Sequence, residues 1–136
     1  MAATTGKPVP TPTLETRPYW EGCKRHELRI QRCGACGHRQ FFPRIYCTSC
    51  FSDRVEWIKA TGRGRVQSFT IVRRPVSPAF ADDVPYVVAL VTLEEGATMM
   101  TNIVGCAPDK VEIGAPVEVT FEDWTDEISV PKFRLL

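Results

Sequence analysis

Two Cys-x-x-Cys pairs, Cys33-Gly34-Ala35-Cys36 and Cys47-Thr48-Ser49-Cys50, form the one constellation in this sequence with demanding chemistry. Each pair can wrap two thiolates around one side of a metal ion, and the ten residues between the pairs suffice for a hairpin joining two such knuckles. Zn²⁺ takes four ligands in a tetrahedron and binds cysteine sulfur readily. Cys33, Cys36, Cys47 and Cys50 are therefore expected to hold one Zn²⁺ per chain. Four thiolates leave no position for water or substrate, so that ion would be structural. A segment this short buries little core, and coordination would supply much of its folding free energy. A thioredoxin-like redox pair is the rival use of Cys-x-x-Cys, but two pairs at knuckle spacing without a βαβ pattern argue against it.

No catalytic set accompanies the cysteines. The sequence contains no Gly-x-Ser-x-Gly elbow, His-Glu-x-x-His pair, phosphate-binding loop or Ser-His-Asp order. Asp82/Asp83 and Glu94/Glu95 are neighbours in polar loops and read as solvated charges. Cys106 lies between Gly105 and Ala107, with neither a base nor a positive field to activate it. His38 could replace a ligand, but four cysteines make that unnecessary, and it reads as a surface residue. This cysteine usage suits a reducing cytosol better than a disulfide framework, so a cytoplasmic location is expected. No run approaches the ~18 apolar residues of a membrane span. Residues 1–12 lack the apolar stretch of a secretory signal.

The elements that must position the cysteines follow from pattern. The 136 residues make one ordinary domain, or one small core with a metal-stapled appendage. Residues 1–13, punctuated by Pro8, Pro10 and Pro12, are expected to form a disordered leader. Residues 14–27 suit a short helix: Thr16 can cap it, Pro18 is tolerated in its first turn, and Tyr19, Trp20 and Cys23 make an apolar stripe. That stripe either packs within the chain or meets a partner. Residues 28–60 would be the zinc ribbon, with a strand at 28–31 and a hairpin at 40–44 whose Phe41 and Phe42 shield the metal. From residue 61 the pattern changes to period two, and Gly62-Arg63-Gly64 marks a turn or bulge. In the strand at 65–73, Val66, Ser68, Thr70 and Val72 share one face, with Phe69 and Ile71 on the other. Five strands within 61–136, with glycine-marked bends, predict a closed OB-fold barrel. The fold class is thus mainly β: a short N-terminal helix, a four-cysteine zinc ribbon and a C-terminal five-stranded barrel.

Charge divides the chain. Residues 24–74 carry twelve Lys or Arg against three acids, a balance of +9, while residues 75–136 carry three against eleven, a balance of −8. The basic half suits an anionic ligand, or the halves attract each other. An OB-fold with a ribbon raises single-stranded nucleic-acid binding as an alternative function. Yet few positive charges follow Arg74, and Phe69, Tyr86, Phe121 and Phe133 alternate as core residues would. Nucleic acid is therefore the alternative, not the expected partner. A smaller polyanion, the phosphates of coenzyme A with an apolar loop for an acyl chain, fits better.

The chain resembles, over residues 14–135, a family of small proteins with an N-terminal helix, a rubredoxin-like zinc ribbon and an OB-fold that accompany thiolases. The residues that carry the likeness are Pro18-Tyr19-Trp20, Gln31-Arg32-Cys33, Phe42-Pro43-Arg44, Cys47 to Cys50, Glu56-Trp57, Gly62-Arg63-Gly64, Pro85-Tyr86, Ile113-Gly114 and Pro131-Lys132-Phe133. The resemblance implies a non-catalytic accessory subunit of a thiolase-like acyl-CoA enzyme, such as a thiolase or a retro-aldolase of steroid side-chain degradation. The chain would form a hetero-oligomer, stabilise that enzyme and help form its acyl-CoA site. Arg63, Arg65, Arg73 and Arg74 are the candidate phosphate contacts, because they flank the expected barrel mouth. Val76, Phe80 and Val84 are candidate apolar contacts, and Tyr19, Trp20, Phe41, Phe42 and Arg44 are candidate partner contacts.

Overall fold

A computed structural model describes residues 6–136; residues 1–5 of the expected leader lie outside the described residues. The first element, α1 (Arg17–Lys24), carries Pro18 in its first turn, where a missing N–H costs nothing. Thr16 occupies the N-cap but does not cap with its side chain. Its Oγ1 instead accepts from the Thr13 N–H at 2.8 Å, so the expected capping bond is replaced by one to the preceding turn. Tyr19, Gly22 and Cys23 face inward.

The ribbon is a three-stranded antiparallel sheet in the order β2 (Arg39–Gln40), β1 (Arg29–Cys33), β3 (Val55–Lys59). The strand expected at 28–31 thus runs to Cys33 and delivers the first ligand at its end.

The remaining strands are β4 (Arg63–Val72), β5 (Tyr86–Leu93), β6 (Thr98–Val104), β7 (Pro116–Asp123) and β8 (Ser129–Leu135). They close a barrel in the order β4-β5-β6-β8-β7, antiparallel except where β6 meets β8. Inward residues such as Val66, Val87, Val91, Val117 and Phe133 are at most 1% exposed. The core continues into Tyr19, Cys23, Leu28 and Ile30, so helix, ribbon and barrel share one apolar interior.

One strand departs from its expected alternation. Val66 pairs with Val91 but Ser68 pairs with Leu90, so Gln67 is an extra residue in β4. This β-bulge inverts the pattern downstream. Val66 is buried, yet beyond it Phe69 and Ile71 pack on the core while Ser68 and Thr70 are exposed. The expected grouping of Val66 with Ser68, Thr70 and Val72 is corrected accordingly.

The segment read as a loose leader has a specific contact within its described part. Lys7 Nζ lies 2.6 Å from Asp83 and 5.4 Å from the Phe80 ring centre.

Candidate metal centre and its surroundings

β1 ends on Cys33 and turns at once through Gly34 and Ala35 to Cys36; residues 47–50 make the same turn on the facing side. In the first knuckle the N–H groups of Ala35 and Cys36 donate to Cys33 Sγ at 3.3 and 3.4 Å. In the second, Ser49 and Cys50 donate to Cys47 Sγ at the same distances. The Cys36 and Ala35 donors hold the Cys33 thiol down at about 6, against desolvation by burial, and Cys47 is lowered in the same way by Cys50 and Ser49. Donors to sulfur favour the thiolate, which is the ligand form.

All four sulfurs lie within 4.8 Å of one another. The cross-knuckle separations are 3.7 Å for Cys33–Cys50 and 3.6 Å for Cys36–Cys47. A tetrahedron with Zn–S bonds of about 2.3 Å has edges of about 3.8 Å, so the sulfur cage fits this ion. Cys33, Cys36, Cys47 and Cys50 would hold it, and its contribution is to clamp two turns together. Among the described residues no other cluster of three or more potential metal ligands occurs.

A pair of buried amides supports the cage from behind. Gln40 Oε1 accepts from the Thr48 N–H and hydroxyl at 2.9 and 3.0 Å, while its Nε2 donates to Gln31 Oε1 and to the Tyr46 carbonyl. Gln31 in turn receives the Arg44 N–H at 2.8 Å and donates to the Arg44 carbonyl at 2.9 Å. These two residues pin residues 44–48 to the sheet. Their positions next to ribbon turns were the available signal, but nothing local predicts that polar side chains on β1 and β2 turn inward. His38 Nε2 stands 3.2 Å from Thr48 Oγ1, on the outer side of the same turn.

The aromatics divide differently from expectation. Tyr19 is 6% exposed and packs edge-on against Trp20 and Phe41, at centroid distances of 4.9 and 5.4 Å. Burial pushes the Tyr19 phenol far above its usual value and Cys23 up to about 11. Tyr19 and Phe41 therefore complete the internal core, whereas Phe42 is exposed beneath the Arg44 guanidinium at 5.4 Å. Phe41 and Phe42 keep contact with each other, at a centroid distance of 5.5 Å, but Phe41 turns to Tyr19 while Phe42 faces solvent. Ile45, Tyr46 and Phe51, which the reading of the sequence passed over, are exposed around the second knuckle.

The arginines do not gather either. Arg63 and Arg73 bracket the ten-residue β4, roughly 30 Å apart at strand rise. Arg63 and Arg65 line a trough of about 380 Å³ with Leu93, Pro116 and Leu136. Arg65 donates to the Gly114 carbonyl at 3.0 Å. Arg73 and Arg74 lie beyond the other end of the strand. Phe80 belongs to a separate cavity of about 190 Å³ with Lys7, Tyr86, Trp124 and Lys132. Val76 is exposed and Val84 is half-buried. The two charge halves touch sparingly: Lys24 pairs with Glu127 at 3.1 Å, and His26 Nε2 meets Asp123 at 2.7 Å. The barrel aromatics Phe69, Phe121 and Phe133 pack on or in the core, which leaves them unavailable for stacking bases. Among the described residues no helix is long and apolar enough to cross a membrane.

Residues 20–56 match the model of the ChsH2 rubredoxin-like zinc ribbon domain, and residues 57–122 match that of the ChsH2 C-terminal OB-fold domain. The chain is 40% identical over 105 residues to a DUF35 domain-containing scaffold protein of Methanothermobacter thermautotrophicus, covering 76% of this chain and 78% of that one. It is 40% identical over 128 residues to a probable enoyl-CoA hydratase alpha subunit of Thermomonospora curvata. That match takes in 94% of this chain but spans only 40% of the relative's length. Among solved structures, a chain of the Ltp2-ChsH2(DUF35) aldolase superposes with a TM-score of 0.82 at 40% identity, over 93% of this chain and 98% of that one.

Proposed function

This chain belongs to the ChsH2/DUF35 family of zinc-ribbon and OB-fold proteins, and from that premise we propose that it is a non-catalytic accessory subunit of a thiolase-like acyl-CoA enzyme. The observation that carries the reading is the match along almost the whole of a ChsH2(DUF35) chain that is named together with Ltp2 in an aldolase. The partner class is a thiolase or a thiolase-like aldolase of steroid side-chain degradation.

The site's chemistry supports this role. Four sulfurs within 4.8 Å of one another would fill the coordination sphere of a Zn²⁺, which supports a structural ion with no open position for substrate. Similarity to the hydratase alpha subunit extends over 40% of that protein. Arg63 and Arg65 line one trough with Leu93, Pro116 and Leu136, and with the Glu94 carboxylate on the same wall; of the four arginines they are the two we assign to a coenzyme A diphosphate.

Co-expression with thiolase-like subunits, followed by native mass measurement, tests the proposal. A hetero-oligomer is expected, with turnover of acyl-CoA in the complex and none by this chain alone. A chain that stays separate from every such subunit, or turns over acyl-CoA unaided, overturns it.

A further inference from the structure

Lys7 is held in a way that a leader lysine on an open surface is not. Its side chain is only 20% exposed, and its Nζ lies 2.6 Å from a carboxylate oxygen of Asp83. The same nitrogen stands 5.4 Å from the centre of the Phe80 ring and 5.8 Å from that of Trp124. Both separations fall within the ~6 Å over which an aromatic face attracts an ammonium ion. One carboxylate and two rings therefore converge on one nitrogen. All four residues line the cavity of about 190 Å³, which also takes in Tyr86 and Lys132. Tyr86 pairs with Val72, so the cavity sits at the end of β4 remote from the Arg63–Arg65 trough.

The walls of this cage are anchored without Lys7. One stretch of turns carries both Phe80 and Asp83: the Phe80 N–H donates to the Ser77 carbonyl at 3.0 Å, and the Asp83 N–H donates to the Phe80 carbonyl at 3.1 Å. The Phe80 ring leans on Tyr86, at a centroid distance of 6.4 Å. Trp124 is fixed from the barrel side, where its Nε1–H donates to Glu122 at 3.1 Å and its backbone N–H to the Ile128 carbonyl at 2.9 Å. Each wall thus has its own support, and the cage is pre-formed for its occupant rather than made by it.

Charge identifies the ligand class. Lys7 and Lys132 line the cavity against Asp83 and Glu122. Lys132 is committed elsewhere: its Nζ donates to Asn102 Oδ1 at 2.5 Å, and Asn102 Nδ2 in turn donates to the Val87 carbonyl at 2.9 Å. Burial lowers the Lys132 pKa; Glu122 then raises it, Lys7 lowers it and Asp83 raises it, so the four charges act on one another across the cavity. With Lys7 withdrawn, two carboxylates would face one ammonium, and the vacancy calls for a cation. The contact of 2.6 Å to Asp83 requires an N–H donor, which a primary ammonium has and a quaternary one lacks. Pro8, Pro10 and Pro12 follow Lys7 and stiffen the tether, so less chain entropy is lost in holding it. We propose that Phe80, Asp83 and Trp124 form a binding site for a primary alkylammonium ion, filled in the isolated chain by Lys7 and open to an external alkylamine when the leader lifts.

The test titrates n-butylammonium chloride into the full chain and follows the indole N–H resonance of Trp124 by NMR, identified by its loss in Trp124→Phe. Lys7→Ala empties the cage without altering its walls and should show a saturable shift. In the wild type the tethered ammonium competes at an effective concentration on the order of millimolar, so the midpoint should lie about tenfold or more above that of Lys7→Ala. Asp83→Asn in the Lys7→Ala background should remove the saturable shift. Trimethylbutylammonium, charged but without an N–H to donate, should bind Lys7→Ala about tenfold or more weakly, and n-butanol should give no saturable shift. Equal midpoints in wild type and Lys7→Ala, no saturation in Lys7→Ala, or equal binding of the quaternary ion or the alcohol overturns the proposal. Backbone relaxation of residues 6–12 is a second readout that needs no vacated cage. Butylammonium should mobilise these residues in the wild type as it displaces Lys7, and Asp83→Asn should mobilise them unaided. Unchanged mobility in both experiments also overturns the proposal. Neither readout involves a partner subunit, so the accessory role stands or falls separately.

Discussion

Gln40 donates through Nε2 to Oε1 of Gln31 at 2.9 Å, and both side chains are buried. Through this pair the sheet holds a loop that has no regular structure of its own. Gln31 satisfies the N–H and carbonyl of Arg44, and Gln40 takes the Thr48 N–H. Residues 45 and 46 lie between those anchor points, which is why their side chains stand outward rather than collapsing onto the ribbon.

Replacing Gln31 by Leu keeps much of the volume but orphans three polar partners: the Arg44 N–H, the Arg44 carbonyl and one Gln40 N–H. Each buried, unpaired group costs about 1–3 kcal/mol. A loss of about 2–4 kcal/mol is expected in urea denaturation, after allowance for water reaching the loosened loop. Faster amide exchange at Arg44 and Thr48 would locate the effect, and an unchanged midpoint would refute it.

Metal analysis of the purified chain should return one zinc per four-cysteine cluster. Chelation, or Cys47→Ser, should release the segment that carries the knuckles, residues 33–54, to rapid hydrogen exchange while the barrel strands stay protected, because their closed hydrogen-bond ladder does not involve the metal. Retention of protection in the ribbon without metal would show that its packing suffices.

Asp123 accepts from His26 Nε2 at 2.7 Å and from Ser129 Oγ at 2.5 Å, and these bonds, with the nearby imidazole, hold its carboxyl below the usual range. A folded-state pKa below the unfolded value of about 3.9 gives stability that is present above that value and lost as pH falls through the folded pKa. Asp123→Asn should therefore lower the denaturation midpoint near pH 7, with the gap to wild type closing as pH falls below about 4. A gap that widens in acid would reverse the sign of the argument.

Gly64 lies where a Cβ would come within 2.5 Å of the Thr92 carbonyl oxygen and 2.9 Å of Val91 Cγ1. The obstacle is largely backbone of the neighbouring strand, which cannot rotate away. Gly64→Ala should cost about 1–3 kcal/mol, read as a lowered thermal midpoint with the Zn²⁺ content unchanged. An equal stability would mean that β4 and β5 part more readily than their register indicates.

The metal ligands were legible because a knuckle is local: two cysteines three residues apart, in tight turns, converge whatever the rest of the chain does. The barrel was legible in its strands and bends, but not in the facing of β4, where the extra residue at Gln67 declares itself only through its pairing with β5. The candidate phosphate contacts show the same limit. Arg63 and Arg73 belong to one sequence neighbourhood, and the ten-residue β4 carries them to opposite ends of the barrel wall.

By itself, then, the sequence determined the four-sulfur cage, the order of helix, ribbon and barrel, and the family likeness, since each depends on short spacings or on the order of motifs. Tertiary structure decided which aromatics face out. Tyr19 and Phe41 are drawn into the shared core, while Phe42, Tyr46 and Phe51 remain in solvent. Residue type is the same in both groups. What separates them is the burial available where helix, sheet and barrel meet, and that volume exists only once distant segments have closed around it.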